Sequence, residues 1–221
     1  MKKIITIIII IIIVVIAVFI KFNYKLFKFG NNMSSKSLES IEQYILDINS
    51  YELTANITIE SNKNTSKYLT KEKCIKQDNI FKQEILEPEN LKGISFIYDG
   101  TNLKIENSNI NLSKLYENYP YIGENNITLM SFIKDYTESN NSNISEKDNE
   151  IILETQLKNG NKYIANKKLY ISKDTRNPSK LEIQDITQKT SIYILYNEIK
   201  INNLQKEDVL AFKLKQVIDD I

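Results

Sequence analysis

From Tyr51 to Ile59 apolar and polar residues alternate one for one. Tyr51, Leu53, Ala55, Ile57 and Ile59 are separated by Glu52, Thr54, Asn56 and Thr58. A period of two puts successive side chains on opposite faces, so this run is a strand with one face on a core and the other in water. Such a strand needs neighbours, and the sequence supplies them through short polar turns. Asn62 to Thr65 reads as a turn into a polar strand from Lys67 to Lys76, and Ile80 to Leu86 reads as a third strand, ended by Pro88. Ile94 to Tyr98 and Asn102 to Glu106 flank Asp99-Gly100, while Ile151 to Leu157 and Lys162 to Ile171 flank Asn159-Gly160. Both pairs suit the positive φ angles of a type I′ hairpin. Leu181 to Gln184 and Ser191 to Ile201 add two strands, after turns at Asp174 to Pro178 and Asp185 to Lys189.

Helical spacing appears in two places. Ser34 or Ser35 can cap a helix running to about Asn49, with Leu38, Ile41, Ile45 and Ile48 on one face. Between the two strand groups, Leu112 to Asn118 reads as a short helix and Leu129 to Tyr136 as another, followed by a polar loop from Thr137 to Asn149. Hairpin connections imply an antiparallel sheet of about nine strands, and segregated helices imply packing on one of its faces, so the fold class is α+β.

Ahead of this domain, Ile4 to Ile20 is apolar except for Thr6. As a helix those residues rise about 25 Å, close to the hydrocarbon thickness of a bilayer, and flanking lysines can snorkel to cover the difference. A cleaved signal peptide has a shorter apolar stretch followed by small residues at its cleavage site. Here the one small residue, Ala17, lies inside the run, and the segment after it is rich in lysine. The run therefore reads as a single-pass transmembrane anchor. Residues 1–30 form the anchor and a basic juxtamembrane linker, and residues 31–221 form the domain. The lysines on the two sides nearly balance, so the positive-inside count does not choose an orientation.

Charge and missing residue types exclude several functions. Five of the 29 basic residues (Lys2, Lys3, Lys21, Lys25, Lys28) flank the apolar run, leaving 24 against 28 acidic residues in the domain. A nucleic-acid binder needs the opposite balance. Histidine is absent, so the common catalytic triads and most zinc sites are impossible. None of the five glycines makes a G-x-G pair for a phosphate loop. The lone Cys74 reads as a small buried hydrophobe, and the carboxylate groups at Glu84, Glu87 and Glu89 and at Glu146, Asp148 and Glu150 read as solvated charge. The expectation is no enzyme activity, no cofactor and no metal. One strand stands out: every residue from Ile192 to Tyr196 is apolar, so both faces there must be covered or bind something. The alternatives are a central core strand and a candidate apolar binding face made by Ile192, Ile194 and Tyr196.

At Leu169 to Ile183 the stretch LYISKDTRNPSKLEI resembles the strand-turn-strand of the outer-membrane lipoprotein carrier fold, the LolA-like proteins. PENLKGISFIYDGTNLKIEN (Pro88 to Asn107) and SIYILYNEIKIN (Ser191 to Asn202) resemble an earlier hairpin and the penultimate strand of the same fold. Within that group the chain is similar to the clostridial germination lipoproteins, the GerS-related family. The resemblance covers about Ser34 to Leu214. It implies a curved antiparallel half-barrel with helices on its concave face, displayed outside the cell membrane of a Gram-positive, spore-forming cell. It also implies a role in germination or sporulation through binding a cell-wall amidase rather than through catalysis. The alternative is a carrier or sensor that holds lipid or a lipoprotein acyl chain. The chain departs from the germination lipoproteins in having no cysteine near its apolar run, so its tether is expected to be protein rather than lipid.

Overall fold

The structure is a computed structural model that describes residues 38–61, 63–120 and 127–210. The anchor, its linker and the cap at Ser34 or Ser35 lie outside the described residues. The chain divides into two compact units, Met1–Gln43 and Tyr44–Ile221. Of the first, residues 38–43 are described and are helical; helix α1 comprises residues 38–46. Ile41, Ile45 and Ile48 are buried, as the three-and-four spacing requires.

The second unit is one antiparallel sheet of eleven strands: β1 (Ser50–Glu60), β2 (Thr65–Ile75), β3 (Ile80–Glu87), β4 (Ile94–Asp99), β5 (Leu103–Asn107), β6 (Leu112–Tyr116), β7 (Ser142–Lys147), β8 (Glu150–Gln156), β9 (Asn166–Ser172), β10 (Pro178–Gln184) and β11 (Thr190–Ile201). Their spatial order is β6-β5-β4-β3-β2-β1-β11-β10-β9-β8-β7. Two hairpin meanders are thus sewn together by the pairing of β1 with β11. The chain crosses from the β6 edge to the β7 edge through α2 (Leu129–Glu138). Thr128 caps α2, its side-chain oxygen accepting from the Ser131 amide. The sheet ends where Asn202 turns back with φ +57°: its side-chain oxygen accepts from the amides of Asn49 and Ser50.

Alternation decides which face is covered. Tyr51, Leu53, Ala55 and Ile57 on β1 are buried. So are Ile151 and Leu153 on β8, Leu169 and Ile171 on β9, Leu181 and Ile183 on β10, and Ile192 and Ile194 on β11. The register sets Ile57 opposite Ile194, Ile194 opposite Leu181, Leu181 opposite Leu169 and Leu169 opposite Leu153, one continuous apolar band. The other face carries charge pairs such as Lys71–Glu52, Lys168–Glu154 and Lys180–Glu182. A short helix, α3 (Lys206–Leu210), packs on β2 and β3 from that side, where Lys73 donates to the Asp208 carbonyl and Val209 is buried.

Five expectations change. The described residues form eleven strands, not about nine. The segment read as a helix at Leu112 to Asn118 is β6, and the polar loop from Thr137 to Asn149 contains β7. Both are edge strands with one neighbour each and mostly exposed side chains, so neither shows the apolar alternation that marks a covered strand. The Asp99-Gly100 turn is displaced by one residue: Asp99 pairs with Asn102, and Gly100, φ +101°, takes the first central position. Asn159-Gly160 is no two-residue hairpin, because β8 ends at Gln156 and β9 begins at Asn166; residues 157–165 form a longer loop.

Candidate functional site

The covered face has two halves of different chemistry, and Tyr196 lies where they meet. On the β8–β11 half it is apolar, and α2 lies over it with Leu129, Phe132 and Ile133 buried. One charged residue interrupts the band. Lys167 follows the inward alternation of β9 and is 0% exposed. Its ammonium donates to Ser131 Oγ at 2.6 Å and to Asp135 Oδ2 at 2.5 Å, both on α2. Desolvation holds the Lys167 pKa below the usual lysine range, and the Asp135 carboxylate works against that shift. This pair ties the helix to the sheet, since a buried ammonium left without its carboxylate is costly.

On the β1–β3 half the inward positions turn polar. Glu72 stands opposite Leu53 on one side and Gln83 on the other, and Gln83 Nε2 donates to Glu72 Oε1 at 2.8 Å. Cys74 lies opposite Tyr51, and Thr70 opposite Ala55. Ala55 is in turn opposite Tyr196 across β11. Four atoms of this group are buried without a hydrogen-bond partner: Tyr51 OH, Thr70 Oγ1, Glu72 Oε2 and Tyr196 OH. The Tyr51 hydroxyl comes near Glu72 and the Met130 amide at the start of α2, near enough to influence their electrostatics. It reaches hydrogen-bond geometry with neither. Orphaned buried polar atoms are rare in folded proteins, and four on adjacent strands mark a place built for something other than stability.

Burial governs the chemistry of these groups. Desolvation raises the Glu72 carboxyl to about 7, against the pull of the Gln83 hydrogen bond and of the nearby Tyr51 hydroxyl. Burial, reinforced by Glu72, pushes the Cys74 thiol up to about 12. Both Tyr51 and Tyr196 are raised well above the usual phenol range, chiefly by desolvation. A thiol held protonated to that degree is no nucleophile. Among the described residues no three acidic or thiol side chains gather to hold a metal ion.

Of the residues singled out from sequence, Ile192, Ile194 and Tyr196 all point to the covered face: Ile192 and Ile194 are in its apolar band, and the Tyr196 hydroxyl joins the polar group. Their strand neighbours Tyr193 and Leu195 lie exposed on the opposite face, beside Lys180, which sits over the rings of Tyr170 and Tyr193. An all-apolar run thus has one face in the core and one in water.

A family model described as sporulation protein YdcC-like matches residues 1–210. The chain belongs to the sporulation protein YdcC-like family. No curated protein matches the sequence. Among solved structures, an uncharacterized conserved protein from Thermus thermophilus shares the fold at a TM-score of 0.50 and 13% identity, over 82% of this chain and 96% of that one. A chain in the complex of the Clostridioides difficile CwlD amidase with the GerS lipoprotein aligns at 26% identity and a TM-score of 0.47, over 74% of this chain and 93% of that one. A LolA superfamily protein from Nitrosomonas europaea aligns at 13% identity and a TM-score of 0.42, over 78% and 96%. LolA and GerS structures thus both stand among the neighbours of this YdcC-like chain, as the resemblance in its sequence anticipates.

Sequence reasoning missed Glu72, Thr70, Gln83 and Lys167. The signal was there in the period: Thr70, Glu72 and Cys74 occupy alternate positions of a strand whose partner β1 is apolar at every facing residue. Lys167 likewise alternates with Leu169 and Ile171.

Proposed function

We propose that this YdcC-like protein is a membrane-tethered, non-catalytic binding protein of the cell envelope, which holds an extracytoplasmic cell-wall enzyme of the amidase class during sporulation. The family supplies the setting, the apolar run from Ile4 to Ile20 supports a tether, and the resemblance to the germination lipoproteins supports a domain outside the cytoplasm. The observation that carries the binding role is the β6 edge. Among the described residues that strand has a partner on one side only, and Ile110, Leu112 and Leu115 are each exposed over more than half of their surface. The opposite edge, β7, is protected by Asn143, Ser145, Glu146 and Lys147 in the manner of strands kept from pairing. An open apolar edge beside a protected one suits capture of an extended segment from a partner. In the C. difficile complex the GerS lipoprotein accompanies the CwlD amidase, and the GerS-like sequence stretches extend that partner class to this chain. The test is crosslinking in sporulating cells followed by purification of the full chain. A cell-wall amidase is expected in the complex from wild type and not from a Leu112→Lys, Leu115→Lys variant; an amidase retained by the variant, or none with either, contradicts the proposal.

A second reading is a carrier or sensor of lipid or an acyl chain, with Ile192, Ile194 and Tyr196 as its lining. What favours it is the set of unpaired hydroxyls on the covered face, which a bound guest could satisfy. Solvent extraction of the purified full chain separates the two: stoichiometric lipid, lost on Tyr196→Leu, supports the carrier.

A further inference from the structure

At the end of the sheet where β8 turns into β9 and β10 into β11, two neighbouring loops hold apolar side chains out in water. Tyr163 is 63% exposed and Ile186 is 66% exposed. The backbone beneath them is firmly tied. The Ala165 amide donates to the Gln184 carbonyl at 2.8 Å, and the Ile186 amide reaches the Lys162 carbonyl at 3.5 Å, joining one loop to the other. Asn161 Oδ1 accepts from the amides of Tyr163 and Ile164, and Asp185 Oδ1 accepts from those of Thr187 and Lys189. Loops held this firmly could turn such side chains inward; instead they present both on one rigid tip.

The tip is also basic. Lys158, Lys162 and Lys189 are exposed and make no ion pair among the described residues. The one acid of the two loops, Asp185, stays ionised, since bonds from Thr187 hold its carboxyl below the usual range, so three lysines against one aspartate leave the loops with an excess of two positive charges. At the adjoining β1–β2 turn Glu60 and Lys63 cancel. Lys162 sits over the Tyr163 ring, 4.7 Å from its centre, and lysines beside exposed aromatic and aliphatic side chains are a means by which proteins seat themselves at an anionic bilayer surface. Lysine heads meet lipid phosphates, while tyrosine places an apolar ring and a polar hydroxyl across the interface.

We infer that Tyr163 and Ile186, with Lys158, Lys162 and Lys189, form a second membrane contact that lays this end of the sheet on an anionic lipid surface. The inference rests on the tethered reading above, because a tether raises the local concentration of lipid enough for a small contact to matter. The 17 residues from Lys21 to Ser37 can span about 55 Å when extended, longer than β1 at roughly 36 Å, so the tether length permits either end of the sheet to reach the bilayer.

The chain has no tryptophan, so Ile186→Trp introduces a single reporter. The full chain carrying it is reconstituted into vesicles containing brominated lipid, made either of phosphatidylglycerol and phosphatidylcholine or of phosphatidylcholine alone. Flotation and fluorescence are read together. Quenching is expected in the anionic vesicles at several times the level in neutral ones. It should drop to the neutral level with Lys158→Glu, Lys162→Glu and Lys189→Glu combined, and be absent for Leu112→Trp, a control at the far edge. Flotation without quenching in anionic vesicles, or equal quenching in both kinds, overturns this inference while leaving the tether intact. Failure to float with neutral vesicles overturns the tether instead, and quenching on anionic vesicles still reads the tip.

Discussion

Glu72 is a carboxyl in the wrong solvent, and the consequence is measurable. Its folded pKa of about 7 lies above the ordinary 4.5, so between those values the native state holds a proton that the unfolded chain has released. The stabilisation is complete below pH 4.5, is lost as pH rises toward 7, and is gone above it. The shift corresponds to a contribution on the order of 3 kcal/mol. We predict that Glu72→Gln removes that part of the pH dependence of chemical denaturation between pH 4.5 and 7.5; an unchanged profile would mean that Glu72 is solvated. Lys167 and Asp135 make an unequal pair, since the lysine side chain is 0% exposed and the aspartate 25%. Removing Asp135 leaves a buried ammonium alone, whereas removing Lys167 leaves a carboxylate that water can reach. Asp135→Ala should therefore cost roughly 3 kcal/mol or more and Lys167→Met clearly less, by urea denaturation. Taken alone, a charged residue at a strand position reads as solvent-facing, and the inward placement of Glu72 and Lys167 shows only in their alternation with Cys74 and with Leu169 and Ile171. Period two puts Ile192, Ile194 and Tyr196 on one face of β11, but in an all-apolar run it does not say which face turns inward.

The covered strands could be read from their alternation, and the edge strands could not. From Tyr51 on β1 and from Ile192 on β11 apolar residues hold the positions the sheet buries, while β6 and β7 stay mostly exposed and are strands only because a neighbour offers hydrogen bonds. Turn chemistry is legible in kind at Gly100 and misleading at Gly160. At Gly100 a side chain meets both positive φ and the Asp78 carbonyl at 2.9 Å. At Gly160 the φ angle is not in the left-handed region, but a Cβ would lie 2.9 Å from the Ile164 carbonyl and 3.1 Å from Ala165 Cα. Gly100→Val should lower stability by about 1–3 kcal/mol through strain. Gly160→Ala should also destabilise, through contact alone, and the melting temperatures of the two variants check both statements.

The topology of the whole molecule, two meanders joined at β1 and β11 with one helix crossing between the edges, follows from hairpin order but not from hairpins alone. What sequence did not contain was which strands would end unpaired, and that is where the proposed binding role lies. The proposed reading puts the partner at that edge, where Leu112 and Leu115 stand exposed. The most direct measurement is the affinity of the purified full chain, in detergent, for the sporulation amidase of its own cell, by calorimetry. The account predicts a saturable complex of one chain to one amidase, weakened at least tenfold by Leu112→Lys with Leu115→Lys while the melting temperature holds. No binding by the wild-type chain, or equal binding by the variant, would contradict it.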